Sequence, residues 1–216
     1  MSEKILYGFG DSLVDGHCLG IGMLDALAEK YGLDYHKFAR NGAAVLPSAR
    51  ADVLDIAAQI ESAPATPPDM VCFDGLINDT YTPVMDHLGQ LSDTYCGHYD
   101  QSTFYGAFER ICFLLRNKYP DSAIFYICVH KMPTRDMAVQ AVLQMAAREV
   151  CEKWSIPYAD VFRQGEINTC VDAMRVKYSY DTAESLTGGN GTHLNAAGYL
   201  RWYLPLLKKL CGPYIR

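Results

Sequence analysis

The stretch from Ile5 to Leu13 reads ILYGFGDSL, an apolar run that ends on a glycine, an aspartate and a serine. This pattern predicts a buried strand that stops at a tight turn and leads into a helix. Such a turn can hold a hydroxyl at the edge of a sheet, near the free amides of a helix N-terminus. Ser12 is therefore a candidate nucleophile.

Strand-like and helical stretches alternate along the rest of the chain. Further apolar runs that suit strands lie at residues 34–39, 70–73, 123–129 and 157–161. Apolar residues at helical spacing lie at 19–31, 49–60, 104–115 and 136–153. Strands that alternate with helices predict an α/β fold, here a five-stranded parallel sheet between two helical layers. Parallel sheets bind ligands beyond the carboxyl ends of their strands.

Length and composition limit the class of protein. Of 216 residues, 50% are hydrophobic and 20% are charged, so the chain can bury a full core as a single domain over residues 1–216. The net charge of −6 comes without a basic stripe, which argues against nucleic acid and membrane partners. The sequence shows neither a leader nor an apolar run of about 18 residues, and we expect a cytoplasmic protein.

The 8 cysteines are spread along the chain without a C-x-x-C pair. In a cytoplasmic domain of this size they are expected to be reduced core residues. His87, Cys96 and His98 could contribute to a zinc site, but their spacing does not impose one. No G-x-x-x-x-G-K-[ST] or G-x-G-x-x-G loop is present to hold a phosphate-bearing cofactor. We therefore expect neither a metal nor a cofactor.

Three other segments complete a candidate site. Asn41-Gly42 and Asn78-Asp79 follow the second and third predicted strands, and His193 precedes a predicted C-terminal helix. A serine hydroxyl needs a base to accept its proton, and imidazole titrates near neutral pH, so His193 is the candidate base. Each residue alone could be a turn or cap residue. The common position of Ser12, Gly42 and Asn78 directly after predicted strands favours one site.

In this order, Gly10-Asp11-Ser12-Leu13, Asn41-Gly42, Asn78-Asp79 and His193 resemble the motifs of the GDSL, or SGNH, hydrolases. The resemblance spans residues 5–207 and implies the three-layer, flavodoxin-like SGNH hydrolase fold with metal-free ester hydrolysis. It implies that Ser12 attacks the acyl carbon and that His193 takes the serine proton. The oxyanion hole would combine the amides of Ser12 and Gly42 with the side-chain amide of Asn78. The implied substrate is a small, short-acyl ester such as an acetylated carbohydrate, and the oligomeric state is not predicted.

Two positions depart from the pattern of that family. Leu76 stands where the third motif usually has a glycine, and Asn190 stands where an aspartate usually orients the histidine. Asn190 could orient His193 through its carbonyl oxygen, with a Ser-His pair supplying the chemistry, and Asn190→Asp would then raise turnover. Alternatively, Asp181 or Glu184 could reach His193. The third alternative is a catalytically impaired SGNH-fold protein that binds a ligand.

The remaining histidines lack an informative spacing. His17, His36, His87 and His98 are interpreted as structural or surface residues. His130, at the end of the fourth predicted strand, is expected at the surface.

Overall fold

The computed structural model describes residues 3–47, 54–81 and 83–215. Its main sheet has five parallel strands in the order β2-β1-β3-β4-β5. The strands are β1 Ile5–Phe9, β2 Asp34–Lys37, β3 Met70–Phe73, β4 Ala123–Cys128 and β5 Tyr158–Asp160. Each strand lies within a run predicted from the sequence. The α/β class and the five-stranded parallel sheet are confirmed.

Helices occupy the connections between the strands. They are α1 Ser12–Asp15, α2 Asp25–Tyr31, α3 Ile56–Ser62, α4 Phe104–Lys118, α5 Met137–Lys153, α6 Val161–Gln164, α7 Asp172–Tyr178, α8 Ala196–Gly198 and α9 Leu204–Ile215. Two 3₁₀ turns lie at Asp79–Tyr81 and Val84–His87, and a π-helical turn at Tyr199–Tyr203 leads into α9. The helix predicted from residue 49 is found from Ile56, where Asp55 caps it, and residues 49–53 lie outside the described residues.

The sheet separates two apolar cores because successive strand side chains point to opposite faces. Phe9 and Phe73 pack on one face against α3, α4 and α5, in a cluster that includes Ile60, Phe108 and Leu143. Leu6 and Cys72 pack on the other face against α2 and α9, together with Leu27, Tyr199 and Leu207. Both faces are covered, as the near-continuous apolar strands predict.

The strand order places a crevice beside the central strand. The chain leaves β1 toward β2 on one side and returns to β3 on the other, so β1 and β3 flank a switch point. Ser12 follows β1, Gly42 follows β2 and Asn78 follows β3. The three predicted motifs therefore share the carboxyl edge of the sheet.

A second, antiparallel pair of strands brings the histidine to this edge. It consists of β6 Ser179–Tyr180 and β7 His193–Leu194, with Tyr180 opposite His193. The expectation that His193 immediately precedes a helix is wrong: it lies in β7, and α8 begins at Ala196, capped by Asn195. None of the helices in the described parts of the chain is long and apolar enough to cross a membrane.

Candidate active site

The turn after β1 presents Ser12 at the first position of α1. Gly10 has φ +140°, and a Cβ there would lie 1.7 Å from the carboxylate oxygen Oδ1 of Asp74, so the turn requires glycine. Asp11 caps α1 by accepting a hydrogen bond from the amide of Leu13 at 2.8 Å. The amide of Asp11 donates to Oδ1 of Asp74 at 3.0 Å. These two hydrogen bonds of Asp11 fix the turn that carries Ser12.

Ser12 and His193 are in direct contact. Nε2 of His193 lies 2.9 Å from Oγ of Ser12, although the two residues are 181 positions apart in the chain. With the ring proton on Nδ1, Nε2 can accept the proton of the serine hydroxyl. This is the geometry that a serine nucleophile and its base require.

The environment of His193 favours the neutral imidazole. Burial lowers its pKa to about 3, and the charges that Arg135 carries, and that His17 and His130 carry when protonated, act in the same direction. His193 is therefore unprotonated at neutral pH and can accept a proton. The same low pKa makes it a weaker base than an imidazole paired with a carboxylate.

A stacked histidine lies against the ring of His193. The ring centroids of His17 and His193 are 4.0 Å apart, and the planes differ by only 3°. His17 itself has a positive φ of 46°, and its Nε2 donates to the backbone oxygen of Asp181 at 3.2 Å. The ring of His193 is thus restrained by Ser12 at one edge and by His17 on one face.

The structure places Asn190 differently from the expectation that it orients His193. Oδ1 of Asn190 accepts from the amide of Thr192 at 2.9 Å, and the amide of Asn190 donates to Oδ1 of Asp181 at 2.9 Å. Within the described residues, no hydrogen bond joins His193 to Asn190, Asp181 or Glu184. Asn190 instead closes a local Asx turn. The predicted gain in turnover from Asn190→Asp depended on a contact that is not formed.

The backbone donors proposed for the oxyanion hole are open. Gly42 lies in an exposed turn with φ +81°, and no heavy atom lies within 4 Å of a Cβ built on it. Neither the amide of Ser12 nor that of Gly42 donates to another described residue. Both amides can therefore donate to a ligand.

Asn78 has a different set of contacts. Its Nδ2 donates to the backbone oxygen of Ala43 at 2.8 Å and to Oδ2 of Asp11 at 3.3 Å. These bonds connect the loops that follow β1, β2 and β3. To donate to a substrate, Asn78 would have to give up the longer and weaker bond to Asp11.

Buried carboxyl groups lie beneath these loops. Burial raises the pKa of Asp11 to about 6 and that of Asp79 to about 7, and it raises the pKa of Asp74 well above its ordinary value. Asp79 accepts from the amides of Val45 and Leu46 at 3.0 and 2.8 Å. These acids organise the backbone of the loops around Ser12.

Groups of three or more His, Cys, Asp or Glu side chains that could hold a metal ion are not found in residues 3–47, 54–81 and 83–215. The chemistry that the described side chains offer is that of a hydroxyl, an imidazole and free amides.

Sequence comparison places this arrangement in a known family. The family model of the GDSL-like lipase/acylhydrolase family matches residues 8–201, from the strand before Ser12 to beyond His193. The chain belongs to this family. Membership supports a hydrolase of the esterase or lipase type. No sequence among the curated proteins matches the chain.

Solved structures share the family fold over nearly the whole chain. A protein from Lactobacillus plantarum has a TM-score of 0.77 and 21% identity, covering 99% of this chain and 98% of that one. A member of the lipolytic protein G-D-S-L family from Veillonella parvula has a TM-score of 0.60 and 15% identity, covering 95% and 97%. Phospholipase A1 from Streptomyces albidoflavus has a TM-score of 0.60 and 17% identity, covering 97% and 100%. At these identities the similarity concerns the fold alone.

Leu76, which departs from the GDSL pattern, also has an unusual backbone conformation. It has φ +122°, a conformation that favours glycine, and follows Gly75 at φ +145°. A leucine at such a φ costs roughly 1–3 kcal/mol of strain. The side chain of Leu76 is fully buried in the core, and this packing holds the strained backbone in place.

The prediction for one histidine of this GDSL-family protein was wrong, and another histidine makes a contact that was not predicted. His130 is fully buried rather than at the surface, since its Nε2 donates to the backbone oxygen of Gly191 at 3.0 Å and its Nδ1 accepts from the hydroxyl of Tyr203 at 2.7 Å. It anchors the loop that carries His193. His17 stacks on His193. No local pattern could have indicated either contact, because each joins segments far apart in the chain.

Proposed function

We propose that this protein is a serine esterase that hydrolyses a small ester through Ser12 and His193. The observation that carries the proposal is the 2.9 Å contact between Oγ of Ser12 and Nε2 of His193. The open amides of Ser12 and Gly42 lie at the same loop edge. A nucleophile, a base and oxyanion donors are the parts that acyl transfer to water needs.

The reaction follows from these groups. Oγ of Ser12 attacks the acyl carbon while Nε2 of His193 takes the hydroxyl proton. The carbonyl oxygen becomes an oxyanion, which the amides of Ser12 and Gly42 stabilise, with Asn78 as a third donor if it releases Asp11. His193 then gives the proton to the departing alcohol. A water molecule repeats the sequence on the acyl-serine and releases the acid.

No carboxylate among the described residues is hydrogen-bonded to His193, and this lowers the expected rate. A carboxylate partner would stabilise the imidazolium that forms during attack, and its replacement by an amide in a serine protease lowers turnover by about 10⁴-fold. His17 supplies orientation without negative charge. We therefore expect a slow esterase compared with enzymes that have a full triad.

A short acyl group suits the surroundings. An apolar cleft of about 520 Å³ is lined by residues that include Leu46, Pro47, Pro83 and His87. Leu46 is the fourth residue after Gly42 in the same loop. This volume has room for a short acyl chain. An acetylated carbohydrate remains a prediction, since no described contact favours a sugar.

The test is hydrolysis of p-nitrophenyl acetate by pure protein. We expect activity in the wild type and in Ser62→Ala, which changes an exposed serine at the end of α3 and serves as the control, and only the uncatalysed rate in Ser12→Ala. His193→Ala should lose about 10²-fold or more, as expected for removal of a general base. Equal rates in all variants would instead favour a ligand-binding protein with an inactive site, the alternative raised by Asn190 in place of the usual aspartate.

A further inference from the structure

One arginine lies at the junction of the candidate active-site loops. Arg135 is in the segment between β4 and α5, and its Nε donates at 3.3 Å to the backbone oxygen of Ile77, the residue before Asn78. The neighbouring Thr134 has its hydroxyl 2.8 Å from that of Thr192, the residue before His193. Arg135 therefore lies where the loops that carry Asn78 and His193 meet.

The guanidinium of Arg135 lies over the ring of Tyr81. The central carbon of the Arg135 guanidinium lies 3.7 Å from the centroid of the Tyr81 ring. Tyr81 is in the 3₁₀ turn that follows Asn78, and 69% of its surface is exposed. Stacking on an aromatic face restrains an arginine while leaving its edge available for hydrogen bonds.

Arg135 has no ion-pair partner among the described residues, and the charge of Asp11 acts on it only from a longer distance. Among the described residues no carboxylate forms an ion pair with it, and only Nε and Nη1 donate to backbone oxygens, those of Ile77 and Thr134. The guanidinium has five N–H donors, so Nη2 and one Nη1 proton remain available. Arg135 is half-buried, and the partial loss of solvent lowers the pKa of its guanidinium.

The charges of Arg135 and Asp11 act on each other, which lowers the pKa of Asp11 and raises that of Arg135, but the two side chains form no ion pair. The oxygens of Asp11 accept from the amide of Leu13 and from Asn78, and burial raises the pKa of Asp74 well above its ordinary value. The charge of Arg135 also acts on His193, whose pKa it helps to lower. A desolvated cation beside the reactive pair would be stabilised by an anion on a bound ligand.

We propose that Arg135, held by Tyr81, binds an oxyanion of the substrate, so that the preferred esters carry a carboxylate or a phosphate close to the scissile bond. This inference rests on the proposed esterase for its biological meaning, but binding can be tested without turnover. A planar guanidinium with free N–H groups matches both oxyanions.

The experiment measures binding of intact esters to Ser12→Ala by calorimetry. For an anion on the alcohol side, 4-acetoxybenzoate and 4-acetoxyphenyl phosphate are compared with uncharged methyl 4-acetoxybenzoate. For an anion on the acyl side, monophenyl glutarate is compared with phenyl pentanoate. In at least one set we expect the charged ester to bind about 10- to 100-fold more tightly than the uncharged one, as for charge-assisted hydrogen bonds. The carboxylate and phosphate members show which oxyanion is preferred.

Variants of Arg135 separate recognition from folding. Arg135→Gln should abolish the preference for charged esters and change binding of the uncharged esters less than about threefold, while Arg135→Lys should keep part of the preference. Arg201→Gln is the matched control, because Arg201 also stacks on an aromatic ring, that of Trp202. A preference that survives in Arg135→Gln, or equal affinity for charged and uncharged esters in both sets, would overturn the proposal. The anion preference with no turnover in wild type would refute only the esterase.

Discussion

The pKa of His193 makes a direct prediction about pH. Only the neutral imidazole accepts the proton of Ser12, and burial holds the pKa of His193 at about 3. A lowered pKa keeps the base form present at lower pH, so kcat/KM for an uncharged ester should change less than about threefold between about pH 8 and pH 5. Initial rates in that range test this. A tenfold fall centred near the ordinary histidine value of about 6.5, if it persists in Asp11→Asn, would contradict it.

The stacked pair predicts a role for His17 in positioning His193. His17→Ala removes the ring, and we expect kcat to fall about three- to tenfold with little change in KM, in line with the ~0.5–1.5 kcal/mol of an aromatic pair. His17→Phe keeps a ring in the same place and should recover most of kcat. His17→Phe also removes an imidazole whose charge, when protonated, lowers the pKa of His193, so that pKa should rise. An equal loss of kcat in both variants would show that the stack does not orient the base.

At the scale of elements, the turn after β3 combines strain with burial at Leu76. Glycine is normally less stabilising than alanine by up to about 1 kcal/mol, because its backbone loses more entropy on folding. At φ +122° this order should reverse. Both Leu76→Ala and Leu76→Gly lose the buried side chain and should unfold more easily than the wild type, but Leu76→Gly should be the more stable of the two. Urea unfolding measures the difference, and a less stable glycine variant would argue against strain at this turn.

The elements also show what the sequence could predict. The strands β1, β3 and β4 are continuous apolar runs, and α4 and α5 have long amphipathic repeats, so local patterns were sufficient for them. The pair β6–β7 could not be found in this way, because each strand has only two residues and depends on pairing between residues far apart. The sequence identified His193 as a candidate base. It did not predict that His193 stacks on His17 or that Asn190 forms a turn, because these contacts depend on the folded chain.

At the scale of the whole molecule, buried acids couple stability to pH. The pKa of Asp74 is raised well above its ordinary value by burial, so the folded protein holds a proton that the unfolded chain releases above about pH 4. The folded state then binds more protons, and the contribution of Asp74 to stability becomes less favourable as pH rises. An asparagine does not titrate. Asp74→Asn should therefore gain stability relative to wild type as pH increases.

Urea unfolding at about pH 5.5 and pH 8 checks this prediction. Asn at position 74 can still accept from the amide of Asp11 through its oxygen, which keeps the 3.0 Å bond of the wild type. The comparison of two proteins at each pH cancels the titration of other groups, including His130 and His193, whose lowered pKa values act in the opposite direction. A stability difference that is the same at both pH values would contradict protonation of Asp74 in the folded state.

The sequence predicted a parallel sheet between two helical layers, because alternating strands and helices allow few arrangements. The same alternation placed Ser12, Gly42 and Asn78 after successive strands, and the strand order brought them to one edge. Arg135 was not predicted because an arginine near the start of a helix has no distinguishing pattern. Its position depends on contacts with Ile77 and Tyr81, which only the folded chain creates.

The central claim is that His193 activates Ser12 for covalent chemistry with an acyl group. The most direct measurement is reaction of the intact protein with a fluorophosphonate, followed by peptide mass spectrometry. We expect one adduct, on the peptide that contains Ser12, and a much slower reaction in His193→Ala. An unmodified Ser12 after prolonged exposure, or the same labelling rate without His193, would contradict the account.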